Sequence, residues 1–263
     1  MADRPVVASI VQYQTAIEAG TMSVMELVEK VAELGVDGVE LRREAWEECG
    51  TLMSEELEAV KARVAELGLL ITFGTHSVIF CEGVDRDQVL ADVDTAAALG
   101  SPLCRLFSGP VPEAEDDPAW AWAKQVIDRA EEKGIVIALE NYARSPGGTL
   151  GEIQTVLNHF DVLGLKTNID TGNYAGWKQD HLEAIEAIGH RAAYVHVKDP
   201  REGGTSVPGE GDLDMKRIFA ALDALPHKIV YCFEFPGGGR PVAMREHLLH
   251  RGPERFESSL GID

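Results

Sequence analysis

Four side chains of types that bind divalent cations close apolar segments in the second half of this chain. Glu140 closes Ile-Val-Ile-Ala-Leu-Glu, and Asp170 closes Leu-Lys-Thr-Asn-Ile-Asp. His196 lies in Ala-Tyr-Val-His-Val-Lys-Asp, and Glu234 closes Val-Tyr-Cys-Phe-Glu. A loop bearing Gly or Pro follows each soon after. Three carboxylates brought together repel one another unless a cation holds them. One imidazole nitrogen with several carboxylate oxygens suits Mn²⁺, Mg²⁺, Co²⁺ or Zn²⁺. The spacing therefore predicts a metal site, provided that the four segments are strands converging on one point.

The rest of the chain supplies such a frame. Apolar strand-like segments are expected at 6–11, 39–42, 69–74, 103–107, 135–140, 165–170, 193–198 and 229–235. Helical spacing follows each one, at 24–34, 54–67, 85–99, 118–133, 149–160, 181–188, 213–225 and 241–249. Ser23 is placed to cap the first helix, and Gly68 and Gly134 to stop two others. Eight such units without a composition break predict an α/β protein: a single (β/α)₈ TIM barrel over residues 1–263. The length of 263 residues fits, since such barrels typically take about 250. Strand C-termini then share one mouth, which is where the four candidate ligands lie. An open doubly wound sheet is the competitor, but Val11-Gln-Tyr-Gln-Thr carries no Gly-rich phosphate fingerprint.

Strand alternation extends the set. Asn168 shares a face with Asp170, and Lys198 with His196, so both are expected at the mouth. The longest connections on that side, 108–117 and 199–211, are candidate lids.

The formal net charge of −20 argues against nucleic-acid partners, whose phosphates would be repelled. No apolar run approaches the roughly 20 residues of a membrane span. The start, Met-Ala-Asp-Arg-Pro-Val-Val, lacks the apolar core of a signal peptide, so a cytoplasmic location is expected. Cys49, Cys81, Cys104 and Cys232 form no CxxC pair, which fits buried thiols in a reducing compartment.

Several of these segments carry a resemblance. Leu139-Glu-Asn, Ile169-Asp-Thr-Gly-Asn, Val195-His-Val-Lys-Asp and Phe233-Glu-Phe resemble motifs of the sugar isomerase/epimerase superfamily with a xylose-isomerase-like barrel. Gly38-Val-Glu-Leu-Arg resembles its second strand, and Pro208-Gly-Glu-Gly-Asp-Leu-Asp its loop before helix seven. The resemblance implies one divalent metal ion, Mn²⁺ ahead of Mg²⁺, Co²⁺ or Zn²⁺, held by Glu140, Asp170, His196 and Glu234. It also implies that Glu140 and Glu234 exchange protons with a small sugar or cyclitol substrate, and that the chain forms a dimer or tetramer. Relatives include ketose 3-epimerases, hydroxypyruvate isomerase, inosose isomerases and dehydratases, 3-dehydroshikimate dehydratase and endonuclease IV.

One departure stands out. Many relatives carry His three residues after the strand-six Asp, whereas Asn173 stands here. An amide can bind a hydroxyl but cannot act as an acid or base near neutral pH. Arg201 is the nearest match to an Arg that follows the strand-seven His in epimerases, one residue out of place. His76 ends strand three, where relatives often contact substrate. Arg105 could bind a substrate oxygen or pair with a core carboxylate such as Glu40. Lys198 could polarise a carbonyl or hold an ion pair. Pro236-Gly-Gly-Gly-Arg240 offers either a phosphate turn or a plain turn, and Tyr142 and Trp177 either stack on a sugar or pack. The expected activity is isomerisation or epimerisation of an α-hydroxy carbonyl compound. A dehydratase is the alternative, ahead of an abasic-site endonuclease and a sugar-binding protein without turnover.

Overall fold

The computed structural model describes residues 4–50, 53–143, 145–202 and 204–235. Its elements run in chain order β1 (Val6–Ser9), α1 (Gln14–Glu18), α2 (Val24–Ala32), β2 (Gly38–Arg42), α3 (Arg43–Glu48), α4 (Met53–Glu66) and β3 (Leu70–Val78). There follow α5 (Arg86–Leu99), β4 (Leu103–Phe107), α6 (Pro118–Glu132), β5 (Val136–Glu140), α7 (Leu150–His159) and β6 (Leu165–Asp170). The remainder comprises α8 (Thr171–Gly176), α9 (His181–Ile188), β7 (Ala192–Val197), β8 (Asp199–Arg201), β9 (Gly204–Ser206), α10 (Met215–Asp223) and β10 (Val230–Phe233).

Eight strands close into a parallel barrel in the order β1-β10-β7-β6-β5-β4-β3-β2. Helices join them, because a parallel pair needs a crossover that a hairpin cannot supply. Sequence-encoded caps fix where these helices start. Ser23 and Glu26 form a capping box on α2, and Thr149 and Glu152 form one on α7. Asp85 caps α5, and Asp117 caps α6 with Pro118 in its first turn.

The strands bury both faces. Outward, they join the helices in one large apolar core that includes Val39, Leu41, Phe73, Leu106, Leu139, Ile169 and Val195. Inward, Val7, Leu103, Ala138, Tyr194, Val230 and Cys232 form a smaller plug. Above that plug the interior turns polar. Tyr194 hydroxyl lies 2.7 Å from Thr72 Oγ1 and donates to Glu40 Oε2 at 2.9 Å. Register places His196 beside Asp170 on one side and Cys232 on the other.

Several elements depart from the expected pattern. The first strand stops at Ser9, whose hydroxyl accepts the Val11 N–H as the chain turns into a 3₁₀ segment at Ile10–Tyr13. β3 runs past Gly74 to Val78, with a register shift against β4. α3 and α8 are short helices directly after strands, and 199–211 contains the β8–β9 hairpin rather than an open loop. All four cysteines are free; Cys104 and Cys232 are buried, but Cys81 is exposed. The expected turn 236–240 and helix 241–249 lie outside the described residues. Among the described residues, no helix is long and apolar enough to cross a membrane.

Candidate metal centre

Glu140, Asp170, His196 and Glu234 meet at the C-terminal mouth of the barrel. One donor atom from each lies within 4.8 Å of the others, and all four residues are buried. His196 Nδ1 is 2.7 Å from Glu234 Oε2, 3.3 Å from Glu140 Oε2 and 3.8 Å from Asp170 Oδ2.

Each candidate ligand is oriented from behind. Asp170 ends β6 and caps α8: its Oδ1 accepts the N–H groups of Gly172 and Asn173 at 2.9 and 3.0 Å. That leaves Oδ2 for the centre. Asn141 fixes the Asp170 backbone, accepting its N–H at 2.7 Å and donating to its carbonyl at 3.0 Å. Glu140 receives Asn168 Nδ2 on Oε2 and Asn173 Nδ2 on Oε1, each at 3.1 Å. His196 Nε2 lies 2.7 Å from Glu40 Oε2, so Nε2 carries the proton and Nδ1 presents its lone pair to the carboxylates when the ring is neutral. Arg42 ties this outer shell together, with Nε 2.7 Å from Glu40 and Nη2 2.9 Å from Glu234.

His196 Nδ1, Asp170 Oδ2 and Glu234 Oε2 are buried, with Lys198 Nζ 2.8 Å from Asp170 Oδ2 and Arg42 Nη2 2.9 Å from Glu234 Oε2. The first three are also the atoms that point at one another. One imidazole nitrogen and three carboxylate oxygens aimed at one point are a donor set that a cation can share. The donor set, one nitrogen and three carboxylates, fits a borderline or hard divalent ion.

Electrostatics agree. Burial opposes ionisation of Glu140, but Arg105 and His196 outweigh it and hold the carboxyl down at about 2. Glu234 is likewise burdened by burial, yet Arg42, Lys198 and His196 hold it well below the usual carboxylate range. Asp170 goes the other way, to about 6, because burial and the charges of Glu140 and Glu234 exceed the help from Lys198. Burial disfavours a charged His196, but Glu40, Glu234 and Glu140 raise its pKa far above the ordinary value. The surroundings thus favour positive charge at Nδ1, which a proton or a divalent cation would supply.

Glu140 and Glu234 of the cluster border a cavity of about 380 Å³, whereas Asp170 and His196 do not line it. His76, Arg105, Asn173 and Lys198 border it, as do Arg42, Glu44, Glu48, Phe107 and Tyr142. Lys198 Nζ bridges Asp170 Oδ2 at 2.8 Å and Glu234 Oε1 at 3.1 Å. Arg105 is fully buried and pairs with Glu140 at 3.2 Å, not with Glu40, while its Nη1 donates to the Thr75 carbonyl at 2.7 Å. Gly74 makes room for it, since a Cβ there would lie 2.8 Å from Arg105 Nη2.

Arg201 is not brought to this site. It stands at the end of β8 with an exposed side chain and does not border the cavity, although Pro200 and Thr205 of the same hairpin do. Trp177 also does not border the cavity, and its Nε1 donates to the Tyr142 carbonyl at 3.3 Å. Sequence reasoning missed Arg42 and the link from Glu40 to His196. The signal was present: Glu40 and Arg42 alternate on one face of an otherwise apolar strand, where two charges require partners.

The chain belongs to the xylose isomerase-like TIM barrel family, whose model matches residues 28–256. An inosose dehydratase of Geobacillus thermodenitrificans is 29% identical over 116 residues, covering 37% of this chain and 39% of that protein. An inosose dehydratase of Clostridium perfringens is 26% identical over 113 residues, covering 36% of this chain and 38% of its own. These matches therefore span under two-fifths of either relative. The crystal structure of the probable 3-DHS dehydratase AsbF from Bacillus anthracis superposes with a TM-score of 0.75 at 15% identity, over 94% of this chain and 100% of that one. A D-tagatose 3-epimerase-like protein gives a TM-score of 0.73 at 18% identity, over 98% of each chain. At those identities the superpositions establish the shared barrel.

Proposed function

We propose that this protein is a divalent-metal-dependent isomerase or epimerase of a ketose, inosose or related α-hydroxy carbonyl compound. The observation that carries the reading is the convergence of four buried donor atoms within 4.8 Å, with Glu140 and Glu234 bordering a cavity. A volume of about 380 Å³ suits a small polyhydroxylated molecule.

A divalent cation held by Glu140, Asp170, His196 and Glu234, Mn²⁺ by first preference, would stabilise the negative charge that develops on a carbonyl oxygen as its α-carbon loses a proton. The chain's own groups do the rest. Glu234 and Glu140 come from β10 and β5, separated in the barrel by β7 and β6, so they reach the cavity from different sides. Glu234 takes the proton from one face of the α-carbon and can give the same proton to the neighbouring carbon; in an epimerisation Glu140 must first take a proton from solvent before giving it to the other face. Asn173 and Asn168 fix the rotamer of Glu140, with Arg105 behind them. Lys198 holds Glu234 in place and offers an ammonium proton to a substrate oxygen. His76 and Asn173 meet substrate hydroxyls at the wall.

A dehydratase is the second reading. The Lys198 ammonium, 3.1 Å from Glu234 Oε1, sits where it could protonate a β-hydroxyl that leaves as water after the same proton abstraction. The partial matches to inosose dehydratases favour it as well.

The test is solvent-deuterium incorporation in D₂O by the Mn²⁺-loaded protein, followed by NMR across ketoses, inososes, hydroxypyruvate and 3-dehydroshikimate. Exchange α to the carbonyl, lost in Glu234→Gln, is the expected result. A new enone absorbance would move the protein to the lyases. An absence of exchange throughout the panel would refute both readings.

A further inference from the structure

α5 carries an aspartate on its apolar face. Val89, Asp92, Val93, Ala96 and Leu99 are buried there together, and Asp92 has no exposed surface. A carboxylate in that position is costly unless its oxygens are hydrogen-bonded. Its Oδ2 accepts the hydroxyls of Thr75 and Ser77 at 2.9 and 2.5 Å. Its Oδ1 lies 2.9 Å from Arg43 Nε and accepts Gln88 Nε2 at 2.9 Å. One oxygen thus grips the residues on either side of His76.

That stretch of β3 is irregular. Gly74 pairs with Arg105 of β4, but the next pair is Val78 with Phe107, so β3 advances four residues where β4 advances two. Thr75, His76 and Ser77 fall between those pairs. A bulge of this kind re-aims a side chain. Side chains hold its backbone: the Ser77 N–H donates to Thr75 Oγ1 at 3.0 Å, and the His76 N–H to Glu44 Oε1 at 2.7 Å. Glu44 is paired in turn with Arg43 at 2.8 Å, which Asp92 holds from the other side.

Two residues that border the cavity depend on this bulge. The Thr75 carbonyl accepts Arg105 Nη1 at 2.7 Å, and Arg105 pairs with Glu140. The His76 ring stacks on Phe107 at 5.8 Å, 22° from parallel, and both rings border the cavity. Desolvation holds the His76 imidazole below its ordinary pKa; Glu44 pulls the other way, and Arg105 and Arg42 oppose Glu44. A neutral imidazole can donate from one nitrogen and accept at the other, which suits a hydroxyl.

We infer that Asp92 is a positioning residue for this site: from behind β3 it clamps the bulge that sets the His76 ring against Phe107 and the Thr75 carbonyl against Arg105. The inference rests on the reading of the cavity as the substrate site. Asp92 itself does not border the cavity and acts through the bulge.

NMR of protein carrying isotope-labelled histidine tests the clamp in Ser77→Ala and Asp92→Asn. His76→Gln assigns the signal, and circular dichroism confirms the fold. Ser77→Ala removes one hydroxyl from Asp92 and keeps the buried carboxylate, so it decides the matter if Asp92→Asn does not fold. In wild type the His76 signal is expected to carry the ring-current shift of Phe107 and to titrate below about 6.5. In each folded variant the shift should shrink and the pKa should rise toward about 6.5. With the compound that exchanges deuterium, kcat/KM should fall at least about threefold. Unchanged His76 signals in the folded variants would overturn the inference, as would displaced signals with unchanged kcat/KM. No exchange in wild type would sink the proposed reaction alone, because the His76 signals need no substrate.

Discussion

At the scale of single residues, the centre depends on atoms whose second bond is already committed. His196 illustrates this: Glu40 takes one ring nitrogen, so the other must face the carboxylates. Glu40→Gln is expected to weaken Mn²⁺ affinity by about 10- to 100-fold, as loss of an outer-shell partner does elsewhere. Equilibrium dialysis would measure this, with circular dichroism to check that the barrel persists. Metal binding should also release protons. His196 carries one in the metal-free protein, and below about pH 6 Asp170 carries another. Calorimetry in buffers of different ionisation enthalpy should count about one proton released above pH 6 and about two below it. Affinity should accordingly fall more steeply with acid below pH 6. The four converging residues could be read from the sequence because each lies at or near the end of an apolar run. The Glu40–His196 contact could not, because it joins residues 156 positions apart and depends on how the barrel closes.

At the scale of elements, the barrel strands were legible from apolar runs and the long helices from their caps. The short helices α3 and α8 were not, since six residues are too few to show a helical period. α8 matters nonetheless, for its first turn engages one oxygen of Asp170 and brings Asn173 onto Glu140. The β8–β9 hairpin is held by Asp199, whose carboxylate accepts the N–H groups of Gly209, Gly211 and Leu213 at 2.6, 3.0 and 3.1 Å. Asp199→Ala should leave these donors without their partner, at about 1–3 kcal/mol. The expected signature is faster amide exchange across 204–213 while the barrel strands keep their protection. Gly74→Ala would press a methyl into Arg105 and loosen its hold on Glu140. A loss of about 1–3 kcal/mol in urea unfolding is expected.

At the scale of the whole molecule, eight barrel strands and one mouth explain why residues from 40 to 234 meet. That architecture could be read in advance from the alternation of strand and helix patterns, and the family match agrees with it. The exposure of Arg201 could not, because it depends on a hairpin whose short strands carry little pattern of their own. A cation that binds only the folded barrel must stabilise it by mass action. Chelation should lower the melting temperature, and Mn²⁺ at about 100 times its dissociation constant should return roughly 2.7 kcal/mol. The most direct test of the metal centre is anomalous diffraction at the manganese edge from crystals grown with Mn²⁺. One peak per chain is expected, within about 2.0–2.3 Å of His196 Nδ1 and of oxygens from Glu140, Asp170 and Glu234. A fully loaded crystal with its peak elsewhere, or with none at this cluster, would contradict the account.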